Sequence, residues 1–441
     1  MSSSQEAIKA PSLNPSPKEE EGRKRRKESF PPRGEVWKGL WFLTLFAAEE
    51  IPAAMVTYVA LLMLIQLGLA PAEATFYSAL LFIPWVLKSF IRPWVKRTGN
   101  LRLMLHIIEA LLFFALLILA FSFQQEPIAV FLALMLVSLL CAWHELIARM
   151  YYEQTLPPIY QRLFTVPKLA CSQIAIIFTY GALIFLVGTL QVYFRQIHYS
   201  WSLGCYVTAG IFLLFAILHM WRLSDSPLKE ERIDSSPLQK RRIGSWGCVR
   251  PILLLFFLLL PQALMFHARV LYLFTSNEGG GLQCTMQEIG FAQGTVGVIA
   301  FSVGIAWGRL LIKRLTLPRL FWPMALSIVL SPIVYLGMTF WPPQSLWQLC
   351  CCTLSAQLLF GFGLGACRLP LSTICGNRYR NTINMLQIPL VSAAMIVPMA
   401  ISGWLAEQLG FSTYFLVNAL SAPICLLGVY LLRCREIPLV L

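Results

Sequence analysis

Charged residues are scarce in this sequence. Only 13% of the 441 residues are charged and 57% are hydrophobic, which gives a mean hydropathy of +0.67. Soluble globular domains carry roughly twice that share of charge. The composition therefore excludes an ordinary soluble protein and predicts one that lies in a membrane.

Two groups of motifs are absent as well. The sequence has no Walker motif, and the stretch NEGGG at 277–281 neither follows a strand nor matches a P-loop, so nucleotide binding has no support. Its 12 cysteines include no CxxC pair and no Cys/His spacing of a zinc site, and most lie in apolar stretches where cysteine packs as a small hydrophobe. We expect no cofactor, no metal site and no redox chemistry.

Long apolar runs extend along almost the whole chain. A bilayer core about 30 Å thick needs roughly 20 apolar residues per helical span, whereas the strands of a barrel would each be about ten residues long. The fold class is therefore all-α and polytopic, with twelve transmembrane helices. The predicted spans are residues 37–67, 75–94, 102–123, 127–149, 165–190, 200–222, 250–275, 287–312, 319–340, 345–367, 382–404 and 411–433.

Two polar segments divide the chain. Residues 1–36 hold PSLNPSPKEEEGRKRRKE, whose Ser, Pro and charge content predicts a disordered basic cytoplasmic tail, and no signal-peptide stretch follows its basic cluster. Residues 223–249 form a polar cytoplasmic linker between the sixth and seventh spans. The other predicted domains are a six-helix bundle at 37–222, a second at 250–433, and a cytoplasmic C-terminal tail at 434–441.

Lysine and arginine are distributed unevenly across this topology. With a cytoplasmic N-terminus, every Lys and Arg except Arg195 and Arg269 falls on the cytoplasmic side. This bias predicts a multi-pass protein of the inner (plasma) membrane with both termini in the cytoplasm. It also accounts for the net charge of +14, because basic residues at this face contact anionic lipid headgroups. Runs such as GRKRRK are therefore interpreted as topology signals, and we expect no nucleic-acid partner.

Four stretches carry a family resemblance. They are LFIPWVLKSFIRPWVKR at 81–97, AWHELIARMYY at 142–152, MQEIGFAQGTVGVIAFSVG at 286–304 and SGWLAEQLGFSTYF at 402–415. Together with the six-plus-six span pattern, they resemble the major facilitator superfamily and, within it, a divergent member of the AmpG-type muropeptide permease branch. The resemblance covers residues 37–433. It implies two six-helix bundles that rock about a site at mid-membrane depth.

The chain departs from that family at charged positions. The resemblance implies an Asp at the position of Lys96. In the fourth span it implies His-Asp with a second Asp four residues later, where this chain has His144, Glu145 and Arg149. In the family these acids belong to a charge network that closes the cytoplasmic end. We assign Lys88 and these four residues to the equivalent gate, and expect Glu145 and Arg149, spaced i and i+4, to pair on one helix face.

The first span holds two adjacent glutamates, Glu49 and Glu50, in an otherwise apolar run. At 1.5 Å per residue, Glu49 lies about 17 Å beyond Lys38, close to the bilayer midplane. Inserting an ionised carboxyl group at this depth costs roughly 2.5 to 3.5 kcal/mol of free energy. At least one of the two glutamates should therefore face a water-filled cavity, pair with another group or stay protonated. We predict that Glu49 or Glu50 couples a proton or contacts the substrate; the alternative is a structural bond to a neighbouring helix. Pro52 should loosen the helix at this depth.

The seventh span holds His267 and Arg269, about 25 to 28 Å past Arg250 and in the outer third of the membrane. An arginine there could clamp a carboxylate or phosphate, which would suit an anionic substrate. It could equally extend to the outer headgroups. Both residues are included in the predicted substrate or proton-coupling site.

His106 and Glu109 form a polar pair in the third span, spaced i and i+3. A histidine beside an acid can relay a proton, because histidine titrates near neutral pH. A structural hydrogen bond near the membrane interface is the commoner role of such a pair. The pair is therefore a candidate relay with a structural alternative.

Other motifs predict architecture. Thr285 and Glu288 match a capping box that opens the eighth span. Close helix contacts are predicted at three small-xxx-small pairs, namely Gly290/Gly294, Gly304/Gly308 and Gly361/Gly365.

The function predicted from these features is proton-coupled secondary transport of a small polar or anionic solute across the inner membrane. The resemblance implies a muropeptide or related cell-wall fragment as the solute. One alternative is a non-transporting receptor or assembly factor on a carrier scaffold, to which the replaced acids point. A membrane transferase using His144 and Glu145 as acid and base would need further catalytic groups, and none is apparent, so we expect no enzyme activity.

Overall fold

The described part of the chain is helical almost throughout. The structure, a computed structural model, describes residues 42–223, 246–315, 317–367 and 380–432, without a few of the side chains in these ranges. Its helices fall into twelve segments, α1 to α12, at the predicted spans, and these ranges contain no strand. The predicted all-α fold class is confirmed. The predicted tails and most of the predicted linker lie outside the described residues.

Six segments precede the linker. α1 comprises Phe42–Ala54, a π-helix at Met55–Val59 and Ala60–Gln66, and α2 comprises Pro71–Leu80 and Ile83–Thr98. α3 is Leu101–Ser122 and α4 is Pro127–Thr155. α5 comprises Thr165–Ile176, a π-helix at Ile177–Leu183 and Ile184–Phe194, and α6 is Ile197–Arg222.

Six more segments follow it. α7 is Trp246–Phe274, which begins four residues before the predicted span. α8 comprises Met286–Ile289, a π-helix at Gly290–Gly297 and Val298–Arg314, and α9 comprises Leu317–Leu330 and Ile333–Phe340. α10 is Leu346–Cys367, α11 is Arg380–Leu409 and α12 is Phe411–Leu432.

Ten of the described segments are long and apolar enough to cross a membrane. The other two are α12, whose apolar run is Phe411–Leu427, and α2, which breaks at residues 81–82. Pro84 lies in the first turn after the break, where a residue without an N–H group is tolerated. The Leu81 carbonyl freed by the break accepts a hydrogen bond from Ser138 of α4. The prediction of the second span as one continuous helix was therefore wrong.

Two further details differ from or refine the predicted elements. α4 continues six residues beyond its predicted end to Thr155, and a short unpredicted helix, Pro158–Leu163, follows it. In α1, the helix widens into the π-helix three residues after Pro52. The Ile51 carbonyl, one residue before the proline, accepts a hydrogen bond from Thr179 of α5 at 3.3 Å.

From residue 43 onward, the described residues belong to one compact unit, within which α2 packs against α11. The contact lies where α1 finishes, called the Gln66 end below. Thr75 Oγ1 of α2 accepts a hydrogen bond from the Gly403 amide at 3.2 Å, and Glu407 accepts one from the Ala72 amide at 3.1 Å. An acidic group at the start of a helix is favoured by the helix dipole.

The second contact between the two sets of six helices joins α5 to α8 through their π-helices. A Cβ added at Gly290 would lie 2.9 Å from the Gly181 carbonyl oxygen, and one at Gly294 would overlap the Tyr180 carbonyl. These glycines therefore allow the two backbones to touch, as the sequence predicts. The other two predicted pairs similarly join α8 to α10.

The predicted capping box is confirmed at the start of α8, where Thr285 and Glu288 bond to each other's backbone amides. Replacing Thr285 by alanine should lower the free energy of unfolding by about 1 kcal/mol, because an amide at the helix start loses its acceptor. SDS-induced unfolding in mixed micelles measures this. Thr189→Ala is the control, since exposed Thr189 bonds only within its own helix; equal effects of both variants would contradict the prediction.

Candidate functional site

Glu49 and Glu50 are half-buried on α1. Glu49 Oε2 is buried and has no hydrogen-bond partner among the residues described. Besides Glu50, the charges that act on Glu49 include those of Glu145, Arg149 and His144. The structure thus brings the predicted carboxyl groups of α1 together with the predicted gate residues of α4.

Glu145 is the centre of a buried ion-pair network. Its carboxylate lies 2.7 Å from Lys88 Nζ of α2 and 3.0 Å from Arg149 Nη2, and it accepts a hydrogen bond from Trp85 Nε1 at 3.0 Å. The predicted pairing of Glu145 with Arg149 is confirmed, and the contact with Lys88 joins α2 to α4. The side chain of Lys96, assigned to the same network, lies outside the described residues.

Lys168, near the start of α5, adds a cation beside this network. Its Nζ lies 3.7 Å from the centroid of the Phe46 ring and 5.2 Å from that of Tyr152. Such cation–π contacts contribute about 0.5 to 2 kcal/mol, depending on exposure. Glu49 is among the acids that act on Lys168. This role of Lys168 was not predicted from the sequence, because a lysine near the end of a predicted span is also a topology signal.

Glu109 of α3 is surrounded by three of the five histidines of the chain. Its carboxylate lies 2.5 Å from His219 Nδ1 of α6, 3.4 Å from His144 Nε2 of α4 and 3.7 Å from His106 Nδ1. His219 also bonds Thr44 of α1 through Nε2, at 3.0 Å. The part of the chain that the structure describes contains no His, Cys, Asp and Glu group arranged to hold a metal ion.

His219 was not a predicted site residue. It lies 110 positions after Glu109, and its only sequence signal is a histidine in an otherwise apolar stretch. The predicted proximity of His106 and Glu109 is found, but the cluster extends over three helices rather than one. His144, predicted as a gate residue, faces Glu109 while its neighbour Glu145 faces the ion-pair network.

Arg269 of α7 lies inside the protein with 7% of its surface exposed. Its guanidinium carbon lies 5.2 Å from the centroid of the Phe266 ring. Its Nε has no hydrogen-bond partner, and no carboxylate within the described ranges forms an ion pair with it. This burial favours the predicted interior position over an extension to the headgroups.

Tyrosines from three helices surround Arg269. The charge of Arg269 acts on Tyr180 of α5 and Tyr335 of α9. Tyr58 of α1 stacks on Tyr180 with ring centroids 5.1 Å apart and contacts Phe266 at 5.6 Å. Arg269 therefore lies where helices from before and after the linker meet, among ring faces and hydroxyl groups.

Two amides and a histidine complete the surroundings of Arg269. Gln293 of α8 donates a hydrogen bond to the Tyr335 hydroxyl at 3.1 Å, whereas its Oε1 is buried and without a partner among the described residues. Gln357 of α10 is also close to the Tyr335 hydroxyl. His267, included in the predicted site, is buried beside Phe266 with ring centroids 5.4 Å apart.

Comparison with known proteins gives matches among solved structures only. No family model and no curated protein matches the chain. A bacterial homologue of the human lysosomal transporter Spinster, inward-facing and occupied, has a TM-score of 0.69 at 14% identity over 92% of this chain and 97% of that chain. The nucleoside transporter NupG scores 0.63 at 13% identity, over 90% and 98% of the two chains. A D-xylose–proton symporter scores 0.64 at 13% identity, over 89% and 97%.

Identities this low show the fold alone. The matched structures are transporters of the major facilitator type, and the alignments extend over nearly all of each chain. With its all-helical architecture and its paired α2–α11 and α5–α8 contacts, the chain has the major facilitator fold.

Proposed function

We propose that the protein is a secondary transporter that moves a small anionic solute across the membrane by alternating access. Its fold supports this, because the structural neighbours are named as transporters, among them a nucleoside transporter and a D-xylose–proton symporter. Alternating access in such folds is a rocking of one helix bundle against the other around a fixed site.

The observation that carries the proposal is Arg269. A buried guanidinium with no carboxylate partner among the described residues is costly, because charge is poorly solvated in the interior of a protein. An anionic solute removes that cost while bound, since guanidinium binds carboxylate and phosphate groups bidentately. Arg269 therefore serves as the anion clamp, and His267 lines the same site.

The rings and amides around Arg269 indicate the rest of the solute. Tyr58 and Tyr180 offer ring faces, which pack against sugars and other ring systems. The free Gln293 Oε1 and the Tyr180 hydroxyl, both without a partner among the described residues, suit hydroxyl and amide groups. An anionic sugar derivative meets these requirements, and a muropeptide, the solute implied by the sequence resemblance, belongs to that class.

The charged network on α1, α2 and α4 is the proposed gate. Lys88, Glu145 and Arg149 hold the end opposite the Gln66 end, which the distribution of Lys and Arg assigns to the cytoplasm. Lys96 is assigned to this gate from the sequence alone. Glu49 and Glu50 lie between this gate and the middle of α1, where a carboxyl can contact the solute or a coupling proton. The proposed location is the inner membrane, with both termini cytoplasmic and anionic lipids at that face.

Binding tests the proposal directly. The purified protein is screened by thermal shift against muropeptides, sugar acids, sugar phosphates, neutral sugars and organic anions, since a ligand that binds the folded state raises its stability. Anions should stabilise it and neutral sugars should not. Uptake of the stabilising compound into proteoliposomes then distinguishes a transporter from a receptor, which binds without uptake, and from an enzyme, which forms product without movement.

Replacing Arg269 by alanine should weaken anion binding about ten- to hundredfold, because hydrogen bonds to charged groups contribute about 1.5 to 3 kcal/mol. Arg269→Lys should recover part of the loss, as it restores charge without the bidentate geometry. Exposed Arg222, at the end of α6, gives the matched control Arg222→Ala. Unchanged affinity in Arg269→Ala would refute the anion clamp.

A further inference from the structure

The cluster around Glu109 has an unusual share of unsatisfied polar atoms. Glu109 is 1% exposed, and His144 and His219 are both fully buried. Glu109 Oε2, both ring nitrogens of His106 and His144 Nδ1 are buried without a hydrogen-bond partner among the described residues. A buried polar atom without a partner costs roughly 1 to 3 kcal/mol, so a group of them in one place calls for a reason.

One of the histidines is already satisfied without an added proton. His219 contacts Glu109 through Nδ1 and Thr44 Oγ1 through Nε2. A neutral ring can donate through Nδ1 and accept through Nε2, so His219 orients the carboxylate. His106 Nδ1 faces Glu109 Oε2 at 3.7 Å, and His144 faces Oε1 through Nε2 at 3.4 Å. Both nitrogens of His106, and Nδ1 on the other side of the His144 ring, have no hydrogen-bond partner among the described residues, so each of these rings has a nitrogen available to a proton.

Among the described residues, no Lys or Arg forms an ion pair with Glu109; its ion-pair partners are histidines. α3 packs against α4 and α6. From these helices the groups that face Glu109 are His144 and His219, and from α3 itself His106. One carboxylate without a fixed cation beside three protonatable rings is short of one positive charge. A single added proton makes the cluster neutral.

We propose that Glu109, His106, His144 and His219 form the binding site of the coupling proton. The proton adds to a free nitrogen of His106 or His144, or to Glu109 Oε2, and no other bond changes. This inference rests on the proposed transport function, and it assigns the proton to a site apart from Arg269, which binds the solute.

The position of His144 connects this site to the gate. His144 and Glu145 are consecutive on α4, and Glu145 holds Lys88 and Arg149. A proton on His144 places a positive charge one residue from the carboxylate that both cations share, which changes the balance of the ion pairs. The charge of His144 also acts on Glu49 of α1.

Proton binding is tested on the full-length protein in nanodiscs without any solute. Histidine labelled with ¹⁵N is titrated from pH 5 to 8 by NMR, with His198→Gln and His267→Gln to assign the two histidines outside the cluster. The three cluster histidines should show a common transition, and Glu109→Gln should abolish it. Independent titration of each ring, unaffected by Glu109→Gln, would overturn the proposal.

Coupling is tested in proteoliposomes with a radiolabelled muropeptide. For one proton per solute, a gradient of one pH unit supports about tenfold accumulation. Glu109→Gln should abolish this accumulation but keep exchange without a gradient, and His106→Gln should behave alike if Glu109→Gln fails to fold. His198→Gln is the control, since His198 bonds the Phe123 carbonyl at the Gln66 end.

The two tests separate this inference from the proposed function. Accumulation by Glu109→Gln equal to that of the unmodified protein would overturn the coupling site while leaving the transporter intact. Absence of both accumulation and exchange in the unmodified protein would refute muropeptide transport, and the histidine titration would still decide whether the cluster binds a proton.

Discussion

Replacing Glu145 by leucine is expected to lower the free energy of unfolding by about 3 to 5 kcal/mol. The reason is that Lys88 stays buried after its partner is removed, with the nearest carboxylate gone. The Trp85 indole also loses its acceptor. Arg149 suffers less, because 43% of its side chain is exposed and can be solvated. The loss should therefore come mainly from the lysine.

SDS-induced unfolding in mixed micelles measures this loss, and a second substitution tests its cause. Adding Lys88→Met to Glu145→Leu should restore most of the stability, since replacing both members of a buried pair by apolar residues is often neutral. Glu126→Gln, at an exposed position before α4, should have little effect. If the double variant is as unstable as Glu145→Leu, an unpaired Lys88 is not the cause.

Replacing Gly294 by alanine should force α5 and α8 apart. A Cβ at this position would overlap the Tyr180 carbonyl and the Gly181 amide nitrogen, and neither backbone atom can rotate away as a side chain can. Overpacking of this kind costs about 1 to 3 kcal/mol. The contact joins helices from before and after the linker. The variant should therefore also lose the proposed transport activity, and the loss should be larger the more the substitution destabilises this packing.

Hydrogen exchange with mass spectrometry detects the separation. Amides in Ile177–Leu183 and Gly290–Gly297 should exchange about ten- to hundredfold faster, since each 1.4 kcal/mol corresponds to a factor of ten. Gly210→Ala is the matched control, because a Cβ at Gly210 meets nothing within 4 Å. Exchange in Gly294→Ala that matches the control would mean that the helices adapt without separating.

Local patterns in the sequence predicted local structure well. Apolar runs predicted the helical segments, and Thr285 with Glu288 predicted the capping box. The spacing of Glu145 and Arg149 predicted their ion pair. Each depends on residues within one helix, whose relative positions follow from helix geometry alone. The small-xxx-small pairs also predicted close packing, although not which helices would meet.

Contacts between different helices could not be predicted from the sequence, because they do not follow from the geometry of one helix. Glu109 meets His219 across 110 positions, and Lys88 meets Glu145 across two different helices. Such pairings depend on the angle at which each helix faces its neighbours, which the apolar pattern of a membrane span hardly constrains. The break at 81–82 was not predicted. The carbonyl that it frees accepts a hydrogen bond from Ser138, a residue of another helix, and the local sequence of α2 does not show that contact.

The fold implied by the family resemblance is confirmed, whereas the permease branch stays a prediction. Packing of twelve helices in this arrangement accommodates nucleosides in one neighbour and D-xylose in another, as their names state. What distinguishes such proteins is the small set of side chains where the bundles meet. In this chain we propose that the set centres on Arg269.

The π-helices of α5 and α8 have a consequence for sequence comparison. A wide turn holds more residues than an ordinary one, so a single residue can be inserted or deleted there while the flanking helix keeps its direction. Relatives of this chain can therefore differ in length inside a span. An alignment that allows gaps only in loops would shift the residues that follow by about 100° around the helix, and would pair Gly188 and Ser302 with positions that face elsewhere.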